Sequence, residues 1–356
     1  VAGRLATLAA ERNGLKPRQQ VYAATTHKRA GEPRPIHFLA RGNVLTPLHE
    51  VSPGTLSLLE MLPSRFDLPQ GHHEGERRVA LARWLSSHDN PLTWRSIVNR
   101  VWQYHFGQGL VATSDDFGLM GSRPSHPELL DSLAGEFRDR GGSLKTLHRW
   151  ILCSATYRQA SAPRQDGLAV DADNRLLWRQ TPRRLEAEAI RDAVLAVAGT
   201  LDLTMGGPGW QDFVIEHPEH SPHYKYELAD PADRSLWRRS VYRFIVRSQT
   251  QPFLTVLDCA DPSMRVDRRN QSISALQALA LLNNGLMLVQ AREFAERVRS
   301  EVGDSLPAQI ARAHHLALGR PPEPVEQAAL ESLGADHGLE NVCRALFNLN
   351  EFVWID

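Results

Sequence analysis

Lysine is scarce in this chain of 356 residues. Only Lys16, Lys28, Lys145 and Lys225 stand among 41 basic residues, which leaves 37 arginines. Guanidinium groups pair bidentately with anions, so the bias is compatible with anion binding, but GC-rich coding is the simpler account of it. Excess charge of one sign is also lacking. With 41 acidic against 41 basic residues the formal net charge is zero, which excludes a nucleic-acid binder that works through bulk positive charge. No apolar run approaches the roughly 20 residues of a membrane span. The three cysteines, Cys153, Cys259 and Cys343, are far apart and odd in number. They build no disulfide framework and read as small buried residues. C-x-x-C-H is absent, so the chain does not attach a c-type haem by itself. G-x-S-x-G, H-E-x-x-H and the G-x-x-x-x-G-K-[ST] phosphate loop are absent too. Asp115-Asp116-Phe117-Gly118 has the letters of a kinase D-F-G, but no Gly-rich loop or H-R-D accompanies it.

What is present is ordinary globular material, 42% hydrophobic and 23% charged, enough for two domains at about 150 residues each. The opening from Val1 is too polar and short for a secretory h-region. The sequence reads as a piece of a longer protein with any targeting signal upstream. Residues 1–73 are expected to form an irregular, partly β connector, with a strand at 36–40 and a turn at Arg41-Gly42-Asn43. Residues 74–356 read as a helical domain. A sub-boundary near 200–235 is one reading of the loop there, and an excursion inside one domain is the other. The fold class is therefore mainly α with a minor β component.

Local signals place the helices. Asn90-Pro91 is an N-cap with Pro at the first helical position, opening a helix that stops at Gly107. Trp94, Ile97, Val98, Val101 and Trp102 form its apolar stripe. Ser125 with Glu128 reads as a capping box, Ser143 as a cap, and Thr181-Pro182 as the start of a helix ending at Gly199. A long helical pattern over 274–299 is interrupted at Asn283-Asn284-Gly285. Residues 240–250 alternate in hydrophobicity, which predicts a strand.

The candidate chemistry clusters after that segment. Asp258 and Asp261 are three apart, as two carboxylates on one helical turn would be. Arg268, Arg269 and Asn270 follow, and guanidinium groups there can lower carboxyl pKa values or clamp an anion. Asp261-Pro262 is equally an N-cap, and Arg–Asp pairs often only join elements. Arg247, Gln249 and Gln251 share one face of the expected strand and suit hydroxyls and anions. His126 is able to act as a general base at neutral pH, and Arg123 lies beside it. His217, His220 and His223, with Glu216, Glu219 and Glu227, carry metal-ligand chemistry, but Pro218 and Pro222 break the run, so a solvated loop with no metal is expected. Gly206-Gly207-Pro208-Gly209 is no nucleotide signature.

Several strings then converge on one family. They include His88-Asp-Asn-Pro-Leu-Thr-Trp94, Arg123-Pro-Ser-His-Pro-Glu-Leu-Leu-Asp131, Ser154-Ala-Thr-Tyr-Arg-Gln159, Arg183-Arg-Leu-Glu-Ala-Glu188, Arg247-Ser-Gln-Thr-Gln-Pro-Phe253 and Asp258-Cys-Ala-Asp-Pro262. Over about 74–356 the chain resembles the planctomycete-specific C-terminal domain of unknown function, which commonly ends large proteins with an upstream cytochrome-c-like domain. The resemblance implies an exported, periplasmic or otherwise extracytoplasmic bacterial protein. It implies haem only in an upstream domain and no cofactor in this chain. It supplies no catalytic residues, and it places the protein near polysaccharide catabolism only by association. Two readings result. One is a non-catalytic assembly module that docks on upstream domains of the same polypeptide. The other is an enzyme or binding module for an anionic, sulfated polysaccharide. In the second, Asp258 and Asp261 would be the acid/base or orienting pair, and Arg247, Arg268 and Arg269 would hold the anion. Neither nucleic acid nor a membrane span enters.

Overall fold

A computed structural model describes residues 3–4, 33–218 and 221–355. The chain divides into two compact units, Val1–Trp94 and Arg95–Asp356. In the first, strands His37–Leu39 and Pro47–Glu50 pair antiparallel. Arg41 and Gly42 between them take φ of 51° and 76°, and glycine meets that requirement without a Cβ penalty. The expected strand at 36–40 and its turn are thus present. Helix Glu74–Leu85 starts from a reciprocal cap. Gly75 N donates to His73 Nδ1 at 3.0 Å, and His73 N donates to Glu76 Oε2 at 2.6 Å, so two otherwise unpaired amides are satisfied.

The second unit is mainly helical, and its short β pieces are minor. Its largest core joins helices Ala187–Ala198, Gly285–Val302, Leu306–Leu318 and Leu339–Phe347. Phe294 and Phe347 are fully buried there and stack at 5.4 Å between centroids. A second buried group, Val98, Trp102, Phe106, Leu130, Leu147 and Ile151, comes from helices Pro91–Phe106, Pro127–Asp139 and Leu144–Cys153. The break at 283–285 is real. Helix Ala275–Asn283 ends there, and Asn284 Oδ1 accepts from Leu286 N at 3.0 Å to start the next helix. Among the described residues, no helix is long and apolar enough to cross a membrane.

Four local expectations are corrected. Residues 240–250 do not form a strand. Ser240–Tyr242 is a turn of 3-10 helix, and a single parallel bridge joins Arg243 to Trp210. Phe244 and Ile245 are both exposed while Val246 is buried. Alternating hydrophobicity makes a strand only where a neighbour offers a ladder, and Trp210 offers one rung. Ser125 is not the cap of its helix. His126 takes that position, and Ser125 N donates to Leu110 O at 2.8 Å instead. Thr181-Pro182 opens no helix, because Arg183–Arg184 pairs antiparallel with Trp354–Ile355 and the helix begins at Ala187. Cys153 is exposed, unlike buried Cys343.

Candidate functional site

The two-residue strand Arg183–Arg184 organises the site. Successive strand side chains point to opposite faces, so the two arginines have different fates. Arg184 is buried. Its Nη1 donates to Asp258 Oδ2 at 3.0 Å and to Ser272 O at 2.8 Å, and its Nη2 donates to Leu257 O at 3.1 Å. Arg183 faces a cavity and spends one bond on the chain, Nη1 to Tyr104 O at 2.6 Å.

Asp258 ends the short helix Pro252–Val256 with φ at 64°, a left-handed conformation that aspartate tolerates better than most residues. Its carboxylate accepts from Ser272 N at 2.8 Å and Gln277 Nε2 at 3.0 Å as well as from Arg184. Burial pushes this carboxyl up, but the Ser272 and Gln277 hydrogen bonds and the Arg184 charge outweigh it and hold the group below the usual range. Residues 259–271 form a polar strap that is tied down at three further points. Arg265 Nε donates to Asp115 Oδ2 at 2.8 Å, and Arg100 holds the other oxygen at 2.7 Å. Gln103 Nε2 donates to Asp267 O at 2.9 Å. Arg269 grips Glu188 bidentately at 2.5 and 3.0 Å.

Beneath the strap lies a cavity of about 360 Å³, lined by Arg183, Arg268, Gln249, Gln251, Gln271 and Tyr104 among others. Six arginines reach its wall, and four are neutralised. Arg100 pairs with Asp115, Arg184 with Asp258, Arg243 with Asp212 and Arg269 with Glu188. Arg183 and Arg268 have no carboxylate partner among the described residues. Gln271 makes no hydrogen bond there either. Gln251 uses its Oε1 to accept from Leu254 N at 2.6 Å, which leaves its amide N–H groups to the cavity. These donors suit an anionic, hydroxylated ligand.

Two of the cavity's carboxyls, Glu188 and Asp261, are shifted in the same direction. Burial pushes Glu188 up, but Arg269 more than compensates, and its net displacement is downward. Hydrogen bonds from Ser263 hold Asp261 down as well. A general acid at neutral pH needs the opposite shift. Cys259 lines the cavity with its thiol pushed up to about 11 by burial and by the neighbouring Glu188. It stays protonated and is a weak nucleophile.

A family described as "PSD1: Protein of unknown function (DUF1553)" matches residues 77–333. The chain belongs to this family. No curated protein and no solved structure matches it. Every cavity residue named above lies within the family segment.

The sequence candidates are distributed unevenly. Arg268, Arg269, Gln249, Gln251 and Asp261 come together around the cavity. Asp258 and Asn270 line a separate recess of about 30 Å³. Asp258 and Asp261 share no helical turn: Asp258 serves Arg184, while Asp261 Oδ1 accepts from Ser263 N at 2.8 Å. Arg247 is exposed outside the cavity. His126 Nδ1 lies 3.0 Å from Ser125 Oγ and is outside the cavity too, whereas Arg123 lines an adjoining one. His220 and Glu219 lie outside the described residues. Among the described residues, no group of three or more His, Cys, Asp or Glu is placed to hold a metal. Sequence reasoning missed Arg183, Gln103, Gln271 and Glu188. The paired arginines at 183–184 were the available signal, since a strand splits such a pair between two faces.

Proposed function

We propose that this chain is a non-catalytic module that binds an anionic polysaccharide, carrying sulfate or carboxylate groups, within an exported polypeptide whose upstream domain carries haem. One observation carries the binding reading. In a chain of zero net charge, two guanidinium groups without a carboxylate partner among the described residues, Arg183 and Arg268, flank a cavity that also presents uncommitted amides at Gln251 and Gln271. Arginine supplies charge-assisted bonds to the anion and the amides take sugar hydroxyls. The downward displacement of Glu188 and Asp261 favours holding a ligand over cleaving it.

Calorimetric titration with a sulfated galactan and its desulfated counterpart tests this. Binding that requires the sulfate, weakens with added salt and falls in Arg268→Ala supports the reading. Equal binding of the desulfated polymer, or none of either, overturns it.

A second reading, docking on an upstream domain, draws on the exposed apolar face of Ile273, Leu276 and Leu279. Titration against a separately expressed haem-bearing segment tests it. Micromolar binding, about −8 kcal/mol, supports docking, and absence of heat at several temperatures counts against it.

A further inference from the structure

A second cavity of about 300 Å³ adjoins the first and shares Gly107, Arg183, Arg268 and Gln271 with it. Three of the residues bearing uncommitted donors of the first cavity, Arg183, Arg268 and Gln271, therefore form the wall between two chambers, while Gln251 belongs to the first alone. The second chamber adds Arg123 and Arg175, and among the described residues its one lining carboxylate is Asp173. Neither added guanidinium has a partner among the described residues.

Both new arginines stand on backbone that is fixed in advance. Asn174 takes φ of 53°, and its amide donates to Arg179 O and Thr181 Oγ1, both at 2.8 Å. Asp171 then accepts from Arg175 N at 3.0 Å and Leu176 N at 2.7 Å. Arg123 lies between two anchored residues. Ser122 N donates to Thr113 Oγ1 at 2.9 Å, and Ser125 N donates to Leu110 O at 2.8 Å. A positive pair held on rigid turns costs little ordering entropy when it engages an anion.

We infer that the two cavities are consecutive subsites of one groove, and that it takes a linear polyanionic saccharide across the Arg183–Arg268–Gln271 wall, with a second acidic group of the same chain reaching Arg123 and Arg175. This rests on the binding reading above and adds to it a length requirement. A single sugar carrying one anion fills one chamber. A longer chain engages both, and the second contact is intramolecular. A single-stranded nucleic acid is also a linear polyanion, but such sites stack bases on aromatic platforms. The groove's aromatic lining residues are Tyr104, exposed, and Trp102 and Phe106, which are buried.

The test is a titration of the whole chain with size-defined carrageenan oligosaccharides of two, four and six sugars, together with an oligothymidylate of matched charge. Affinity should rise about tenfold from the shortest to the intermediate length and then level off. The double variant Arg123→Ala, Arg175→Ala, checked for an unchanged melting temperature, should erase that gain so that long and short chains bind alike. Length-independent binding of the oligosaccharides overturns the two-subsite groove and leaves the binding reading standing. So does an equal loss at every length in the double variant. Tighter binding of the oligothymidylate overturns the saccharide assignment. If no oligosaccharide binds at all, both fall.

Discussion

Arg184 Nη1 donates to Asp258 Oδ2 at 3.0 Å, with 6% of the arginine side chain and 18% of the aspartate side chain exposed. The pair joins the strand at 183–184 to the start of the strap that carries Arg268 and Arg269. It is therefore an architectural pair that positions the groove from behind.

Asp258→Asn should cost stability without abolishing ligand binding. Asparagine tolerates the left-handed φ of this position, so the substitution isolates the charge. Leaving Arg184 buried without its anion costs about 3 kcal/mol. Denaturant melts should show that loss, and titration with the sulfated galactan should still show binding. A variant that melts like the parent but no longer binds would reverse the assignment.

Acid should destabilise the fold in a defined window. Asp258 and Glu188 are both held below their ordinary values against the effect of burial. Hydrogen bonds from Arg320 and from the Glu323 backbone lower Glu326 to about 2. Carboxyls depressed in the folded state contribute fully above their unfolded pKa of about 4, and the contribution disappears as pH falls through the folded value. The melting temperature should therefore fall progressively between about pH 4.5 and 2. A flat profile across that window would mean these pairs persist in the unfolded chain.

The helices were legible where the signal was local. Asn90-Pro91, Ser143, Gly199 and Asn284 each mark a terminus through their own side chain or backbone freedom. The site was only half legible. Arg268 and Arg269 stood out as a basic run, but their difference did not, because it depends on Glu188, which is 81 residues from Arg269. Gln103 reaches Asp267 across 164 residues, and no periodicity reports such a contact. The expected strand at 240–250 failed for the same reason in reverse, since its pattern was local and its missing partner was not.

Adjacent arginines on the strap should separate binding from stability. Arg268→Ala removes a guanidinium that no carboxylate holds among the described residues, so melting should be unchanged and affinity for a sulfated chain should fall about tenfold. Arg269→Ala strips Glu188 of a bidentate partner, and charged hydrogen bonds of this kind contribute about 2 kcal/mol. Parallel melts and titrations of the two variants check this. If both lose stability equally, Arg268 is structural.

The cysteines should label in an order set by access and by thiolate fraction. Cys153 is exposed. Burial pushes Cys259 up to about 11 and Cys343 up to about 12, and the thiolate is the reactive form. Iodoacetamide at pH 8 followed by mass spectrometry should modify Cys153 first, and the other two only on unfolding. Prompt modification of Cys259 in the native protein would place an activated thiol in the cavity.

Gln103 gives the sharpest test of how the strap is held. The residue is 9% exposed, and its side chain bridges two segments. Ser114 Oγ donates to its Oε1, and its Nε2 donates to Asp267 O at 2.9 Å. Ser114 in turn accepts from Asn99 Nδ2 at 3.2 Å, and Asn99 also exchanges bonds with the Val111 backbone at 3.0 and 2.7 Å. The helix therefore reads the position of the 111–114 loop and passes it to the strap one residue before Arg268. Gln103→Leu keeps the volume but takes the acceptor from the Ser114 O–H and the donor from the Asp267 carbonyl, at about 1–3 kcal/mol. Because no carboxylate holds Arg268 among the described residues, the loosened strap should also weaken sulfated-ligand binding. Hydrogen exchange over 265–271, measured beside the titration, separates the two effects. Faster exchange with weaker binding makes Gln103 a positioning residue, whereas unchanged exchange confines its role to the buried Ser114 contact.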